Sequence, residues 1–93
     1  MIVNVDAARL RTFLDSCEDA EALGGNEYTV DLYDAQSPLS LDLTVSGKDG
    51  VQVLAALTLL YDEEMDGWYL GDRVEDAEAI AQSLRQAMEA AAT

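Results

Sequence analysis

Asp62, Glu64 and Asp66 stand at alternate positions just before Gly67, and no other spacing in this chain comes closer to a recognisable piece of chemistry. They match positions 1, 3, 5 and 6 of a calcium-binding EF-hand loop, in which alternate oxygen ligands converge on the ion and a glycine makes the sharp turn. The twelfth position of such a loop holds a bidentate carboxylate, and here it is Arg73. The apolar segment before Asp62 also reads better as a strand than as an entering helix. At most a weak, nonspecific divalent-cation contact is expected there, and no dedicated metal or cofactor.

Residue types narrow the remaining chemistry. The chain has no histidine, the side chain whose charge changes near neutral pH. It carries no glycine-rich phosphate loop and no nucleophile elbow. A carboxylate pair can do acid–base work when an apolar pocket raises the pKa of one member, but nothing in the pattern singles out such a carboxylate. No catalytic residue is expected, and the chain reads as a binding protein rather than an enzyme.

Charge is the dominant feature. There are 19 Asp and Glu against 5 Lys and Arg, a formal net charge of -14, and Lys48 is the one cation between Thr12 and Asp72. A surface of this kind repels nucleic acid and anionic membranes, having no basic patch to displace counterions, and attracts basic protein surfaces. Proteins adapted to molar salt share the same bias, so the placement of the charges has to separate the two readings.

The 93 residues, with 49% hydrophobic content, are expected to form one domain over 1–93 with a single modest core. The apolar residues are patterned, which argues against disorder. Cys17 has no intrachain partner, fitting a reducing cytosol. Met1–Asp6 lacks a basic n-region, and the longest apolar stretch, Val53–Tyr61, is too short to span a bilayer. A cytoplasmic protein is expected.

The elements that must hold these charges follow from periodicity. Leu10, Phe13, Leu14, Cys17 and Ala20 predict a helix from Asp6 to Leu23, capped by Asp6 and stopped by Gly24-Gly25. Cys17 lies on that stripe, as a structural thiol would. Tyr28, Val30 and Leu32 alternate with polar residues, as do Leu39, Leu41, Leu43 and Val45, giving two strands joined by Ala35-Gln36-Ser37-Pro38. A four-residue loop there pairs Asp34 with Leu39 and Val30 with Leu43, and sets Asp31 opposite Asp42; a slip of two residues separates the aspartates. Val51–Tyr61 carries a strand face and also a helical stripe with Asp49 and Gln52 as a capping box. The strand is favoured because Ser46–Gly50 reads as a hairpin turn with Gly50 at positive φ, and it matches Val45 to Val53, Leu43 to Ala55 and Leu41 to Leu57. Trp68-Tyr69-Leu70 is a short strand, and a last helix is expected from Asp72, with Glu75 completing a capping signature. The fold class is α+β: an antiparallel meander of three to four strands flanked by an N-terminal and a C-terminal helix.

Departures from local stability rules point to function. Asp31 facing Asp42 would be a destabilising pair by about 0.2–1 kcal/mol. Glu18, Asp19 and Glu21 would sit at the carbonyl end of the first helix, against its dipole. Asp62, Glu63, Glu64 and Asp66 crowd one turn. Leu54, Ala56 and Leu60 are expected on the outer sheet face beside Tyr33, Asp31 and Asp42, an apolar centre with an acidic rim that a partner or a second copy would cover.

With these elements and charges in place, the chain resembles the small acidic inhibitors of phages and mobile elements, among them DNA mimics and several anti-CRISPR proteins. The resemblance lies in length, acidity and the helix–sheet–helix plan, without a diagnostic motif. It implies a mechanism in which carboxylates occupy a basic channel of a CRISPR effector or other nucleic-acid-binding protein and exclude DNA or guide RNA. The expected contacts are Asp31, Asp34, Asp42, Asp62, Glu63, Glu64 and Asp66, aided by Glu18 and Asp19, with Tyr33 as an aromatic anchor and Trp68 either as a second anchor or, the favoured role, in buried ring packing. An immunity protein against a basic toxin, or a salt-adapted dimeric housekeeping domain, would use the same composition.

Overall fold

The computed structural model describes residues 1–46 and 50–92. The elements run β1 (Ile2–Val3), α1 (Ala7–Ser16), β2 (Ala20–Gly24), β3 (Glu27–Leu32), β4 (Leu39–Ser46), β5 (Gly50–Asp62), β6 (Gly67–Arg73) and α2 (Ala77–Ala92). The strands form one antiparallel sheet in the order β1-β5-β4-β3-β2, and β6 pairs with β5 further along. The α+β plan, with a meander between two helices, holds. The sheet has six strands, rather than three or four, because β1 and β2 join it.

Both helices cover one face. Leu10 and Leu14 of α1 and Ile80, Ala81, Leu84, Ala87 and Met88 of α2 share a core with Tyr28, Val30 and Leu32, with Leu39, Leu41, Leu43 and Val45, and with Val51, Val53 and Ala56. The alternating burial of β3 and β4 follows from this: every second side chain meets the helices and the others face away. Burying a Leu such as Leu43 or Leu84 contributes about 1.5–3 kcal/mol.

The first helix starts as expected, with the Asp6 carboxylate accepting from the Arg9 N–H at 3.1 Å. It ends at Ser16, short of Leu23. Cys17 turns extended, with ψ 127°, and Ala20–Gly24 pairs with β3. The small side chains of Cys17 and Ala20 offer a longer helix little burial, whereas pairing gives this backbone interstrand hydrogen bonds. Glu21 therefore lies in β2 rather than in a last helical turn, while Glu18 and Asp19 follow directly after the C-cap Cys17, beside the carbonyl end of α1. Cys17 closes the helix and packs, partly buried, against the core.

The meander is shifted from the expected register. Val30 pairs with Leu41, Asp31 with Ser40, Thr29 with Asp42 and Leu32 with Leu39, so the connection runs over six residues, 33–38. Asp31 and Asp42 are diagonal neighbours on the outer face, not a facing pair. Between β4 and β5, Val45 meets Val51, Leu43 meets Val53 and Leu41 meets Ala56, with a bulge that leaves Leu54 unpaired. Core still meets core. Gly50 adopts the expected positive φ, 77°; the rest of that turn, Gly47–Asp49 with Lys48, lies outside the described residues.

The second helix begins at Ala77, later than the expected Asp72, because β6 carries Asp72 into the sheet. Asp76 takes the capping role: its carboxylate accepts from the N–H groups of Glu78 at 3.1 Å and Ala79 at 3.3 Å. The buried Ser83 hydroxyl donates to the Ser37 carbonyl at 3.2 Å, fixing α2 against the β3–β4 connection.

Candidate protein-binding surface

The sheet face away from the helices carries the expected anions. Its cross-strand rows read Glu21–Thr29–Asp42–Ala55 and Asp31–Ser40–Leu57. The bulge at Leu54 changes which residues of β5 turn outward. Ala56, expected here, is 3% exposed in the core. Leu60 pairs with Tyr69 on the helix side of the hairpin, and Leu54 is the bulge residue. Ala55, Leu57, Leu59 and Tyr61 take the outward positions. Leu59 is buried yet outside the helix-side core.

β4 stops pairing with β5 at Leu39 and Thr58, and the β5–β6 hairpin continues four residues further to Asp62. Its turn is self-organised. The Asp62 carboxylate accepts from the N–H groups of Glu64 at 2.9 Å and Met65 at 3.4 Å. Asp66 takes a left-handed φ of 50°, and its carboxylate accepts the Tyr61 hydroxyl. Asp62 and Asp66 are thus turn-forming residues, which explains their spacing without a cation. Among the described residues, no group of three or more Asp, Glu or Cys side chains is placed to hold a metal ion.

Three rings bridge the hairpin to the sheet. Trp68 lies 5.0 Å from Tyr33, centroid to centroid, at an interplanar angle of 57°, and 5.4 Å from Tyr61 at 64°. These are tilted and edge-on contacts favoured by ring quadrupoles. The Tyr33 hydroxyl donates to Asp31 at 3.3 Å. The result is a continuous path from Asp31 through Tyr33, Trp68 and Tyr61 to Asp66, rigid rings with a carboxylate at each end. Burial, then the neighbouring Asp31 charge, pushes the Tyr33 phenol above its ordinary pKa. The hydrogen bond to Asp66, then burial, does the same for Tyr61. Both therefore stay hydroxyl donors at neutral pH.

The expected contact residues fall into two groups joined by this path. Asp19, Asp31, Tyr33 and Asp34 line a hollow of about 160 Å³ whose other walls include Phe13 and Ser16 of α1, Cys17, and Ala87, Ala90 and Ala91 of α2, so it lies at the end of β3 where the sheet meets the helices. The Asp31 N–H donates to the Asp19 carbonyl at 3.1 Å. Asp62, Glu63, Glu64 and Asp66 form the hairpin tip. Asp42 lies on the same face as Asp31. Among the described residues, Glu18, in the turn after α1, makes no hydrogen bond or ion pair that ties it to either group. Tyr61 is not among the expected contacts: simple alternation from Val51 puts it on the core face, and the one extra residue of the bulge at Leu54 turns it outward, while the second irregularity adds its extra residue to β6. Trp68, assigned to ring packing, does pack, but remains 43% exposed.

Among the described cations, Arg73 pairs with Leu57 and so continues the outer row Asp31–Ser40–Leu57, whereas Arg11 and Arg85 are bound elsewhere. Arg11 donates to the Asn26 side chain at 3.0 Å and to the Val45 carbonyl; Arg85 bonds Glu78 at 3.1 Å and the Asn4 carbonyl at 2.6 Å. Arg73 makes a loose pair with Glu75 at 3.9 Å. Beside the anions lie exposed Leu60, Tyr61, Met65, Trp68, Tyr69 and Leu70, an apolar concentration on the hairpin that marks interaction surfaces. Among the described residues, no helix is long and apolar enough to cross a membrane. No protein-family model, curated protein or solved structure matches this chain.

Proposed function

We propose that this chain is a non-enzymatic, acidic protein-binding inhibitor that occupies a basic, nucleic-acid-binding surface of a target protein, in the manner of DNA mimics and anti-CRISPR proteins. The observation that carries the reading is the joined surface of Asp31, Tyr33, Trp68, Tyr61 and Asp66. It sets preorganised anions around an aromatic centre, the arrangement expected of an interface with a desolvated anchor and a polar rim. A basic channel that normally takes phosphates would receive the carboxylates, and the rings would supply apolar and cation–π contact to its Arg and Lys side chains. If phage-encoded, the protein would act in the host cytoplasm.

The test is competition. Purified CRISPR effector–guide complexes are titrated with the chain in the presence of labelled target DNA. Displacement of DNA that weakens steeply with salt supports the reading; simultaneous binding of both, or no binding across the set, sinks it.

A further inference from the structure

Soluble proteins protect their sheet edges with charge, proline, bulges or short length. Strand β2 follows that rule: it has five residues, carries Glu21 and is irregular between Ala22 and Gly24. Strand β6 does not. It spans seven residues, the run Gly67–Gly71 has neither charge nor proline, and Trp68, Tyr69 and Leu70 are 43%, 51% and 56% exposed. Among the described residues its strand partner is β5 alone. From Gly67 to Leu70 the pairing is regular, and the shift in register falls beyond Leu70. Gly71 keeps the strand close to β5: a side chain there would meet Thr58 Oγ1 and lie 2.9 Å from Leu60 Cδ1.

Charge frames this open edge at both ends. Asp62, Glu63, Glu64 and Asp66 lie at the turn, and Asp72 and Glu75 lie at the far end, where the lone cation Arg73 is paired with Glu75. We propose that β6 accepts an added strand from a protein partner: a short extended segment, apolar over Trp68–Leu70 and bearing Lys or Arg at both ends. This rests on the reading of the chain as a binder of basic protein surfaces and deepens it, since main-chain hydrogen bonds along β6 would supply affinity and the flanking carboxylates selectivity. A second copy fits less well, because it brings another net charge of -14 to an edge already bounded by anions.

Trp68 is the only tryptophan, so its fluorescence reports on this strand directly. The probe is a synthetic peptide of Val-Thr-Val flanked on each side by Lys-Arg, compared with a twin whose central amide nitrogens are methylated. The parent is expected to give a saturable change in Trp68 emission, and the twin to bind about tenfold more weakly or worse, having kept its charge but lost its strand hydrogen bonds. Equal, salt-sensitive binding of the two overturns strand addition while leaving the basic-surface reading intact. Absence of binding by both overturns it too, and the DNA-competition assay decides the wider reading separately. A dimer in sedimentation that excludes the peptide would assign the edge to a second copy and also overturn the proposal.

Discussion

The ring of Tyr33, one residue past the end of β3, packs on the ring of Trp68 in β6 at 5.0 Å, although two strands separate β3 from β6 in the sheet. The contact forms where β4 has already stopped pairing, so the projecting hairpin is braced against the body of the protein by aromatic packing instead of a further ladder. Stability of the hairpin and binding through it are therefore coupled at one side chain.

Trp68→Ala removes two ring contacts, each worth about 0.5–1.5 kcal/mol. Because the indole is 43% exposed, the expected total loss is about 1–3 kcal/mol, well short of a fully buried ring. Urea unfolding followed by circular dichroism measures it. Trp68→Phe should restore most of the stability, and an unchanged midpoint for Trp68→Ala would show that the rings do not brace the hairpin.

Stability should fall in alkali through Tyr28 and Tyr33. The hydrogen bond to Asp15, then burial, raises the Tyr28 phenol above its ordinary value of 10.0, and burial followed by the Asp31 charge raises Tyr33. A phenol whose pKa is higher folded than unfolded holds its proton more tightly in the native state. Its contribution is complete below pH 10, the unfolded value, and is lost as pH rises through the folded one. Unfolding midpoints should drop above about pH 10 and drop less in the Tyr28→Phe, Tyr33→Phe double variant.

Reversing single anions on the outer face should relieve self-repulsion. Asp42, beside Thr29 and Ala55 and diagonal to Asp31, is exposed; Asp42→Lys is expected to raise stability by up to about 0.5 kcal/mol at low salt. The gain should vanish near molar salt, where the Debye length shrinks to roughly 3 Å. The same variant should weaken binding to a basic partner. Loss of the fold instead would make Asp42 structural and remove it from the contact set.

Leu84→Ala tests the α2 packing. The side chain is fully buried against the sheet, so a loss of about 2–5 kcal/mol is expected from the missing contacts and the cavity left behind. Ser83→Ala, one residue away, strips the Ser37 carbonyl of its donor and should cost about 1–2 kcal/mol. Comparable losses for the two would place the strength of that seam in its hydrogen bond rather than in its core.

Much of this architecture is legible in the chain because local chemistry specifies it: the Asp6 cap, the alternation in β3 and β4, the positive φ of Gly50 and the apolar stripe of α2. What sequence periodicity does not carry is nonlocal. Ala20–Gly24 has the spacing of a helix and becomes a strand because β3 needs a partner there. The loop over 33–38 is two residues longer than its turn signals suggest, and that alone separates Asp31 from Asp42. The bulge at Leu54 inverts the faces of the residues that follow it, so Tyr61 moves from a supposed core position to the surface. The anions at the hairpin tip were readable as a group; their connection to Asp31 was not, because it runs through rings far apart in sequence.

The pairing of β1 with β5 has a dynamic corollary. Other ladders join strands adjacent in the chain, whereas Ile2 pairs with Gln52 and Met1 bonds Val53 across 52 positions. A two-residue strand closing so large a loop has little to set against the entropy it removes. This seam is expected to open before the others, and the amide protons of Val51 and Val53, which face β1, should exchange sooner than those in the paired middle of the same strand.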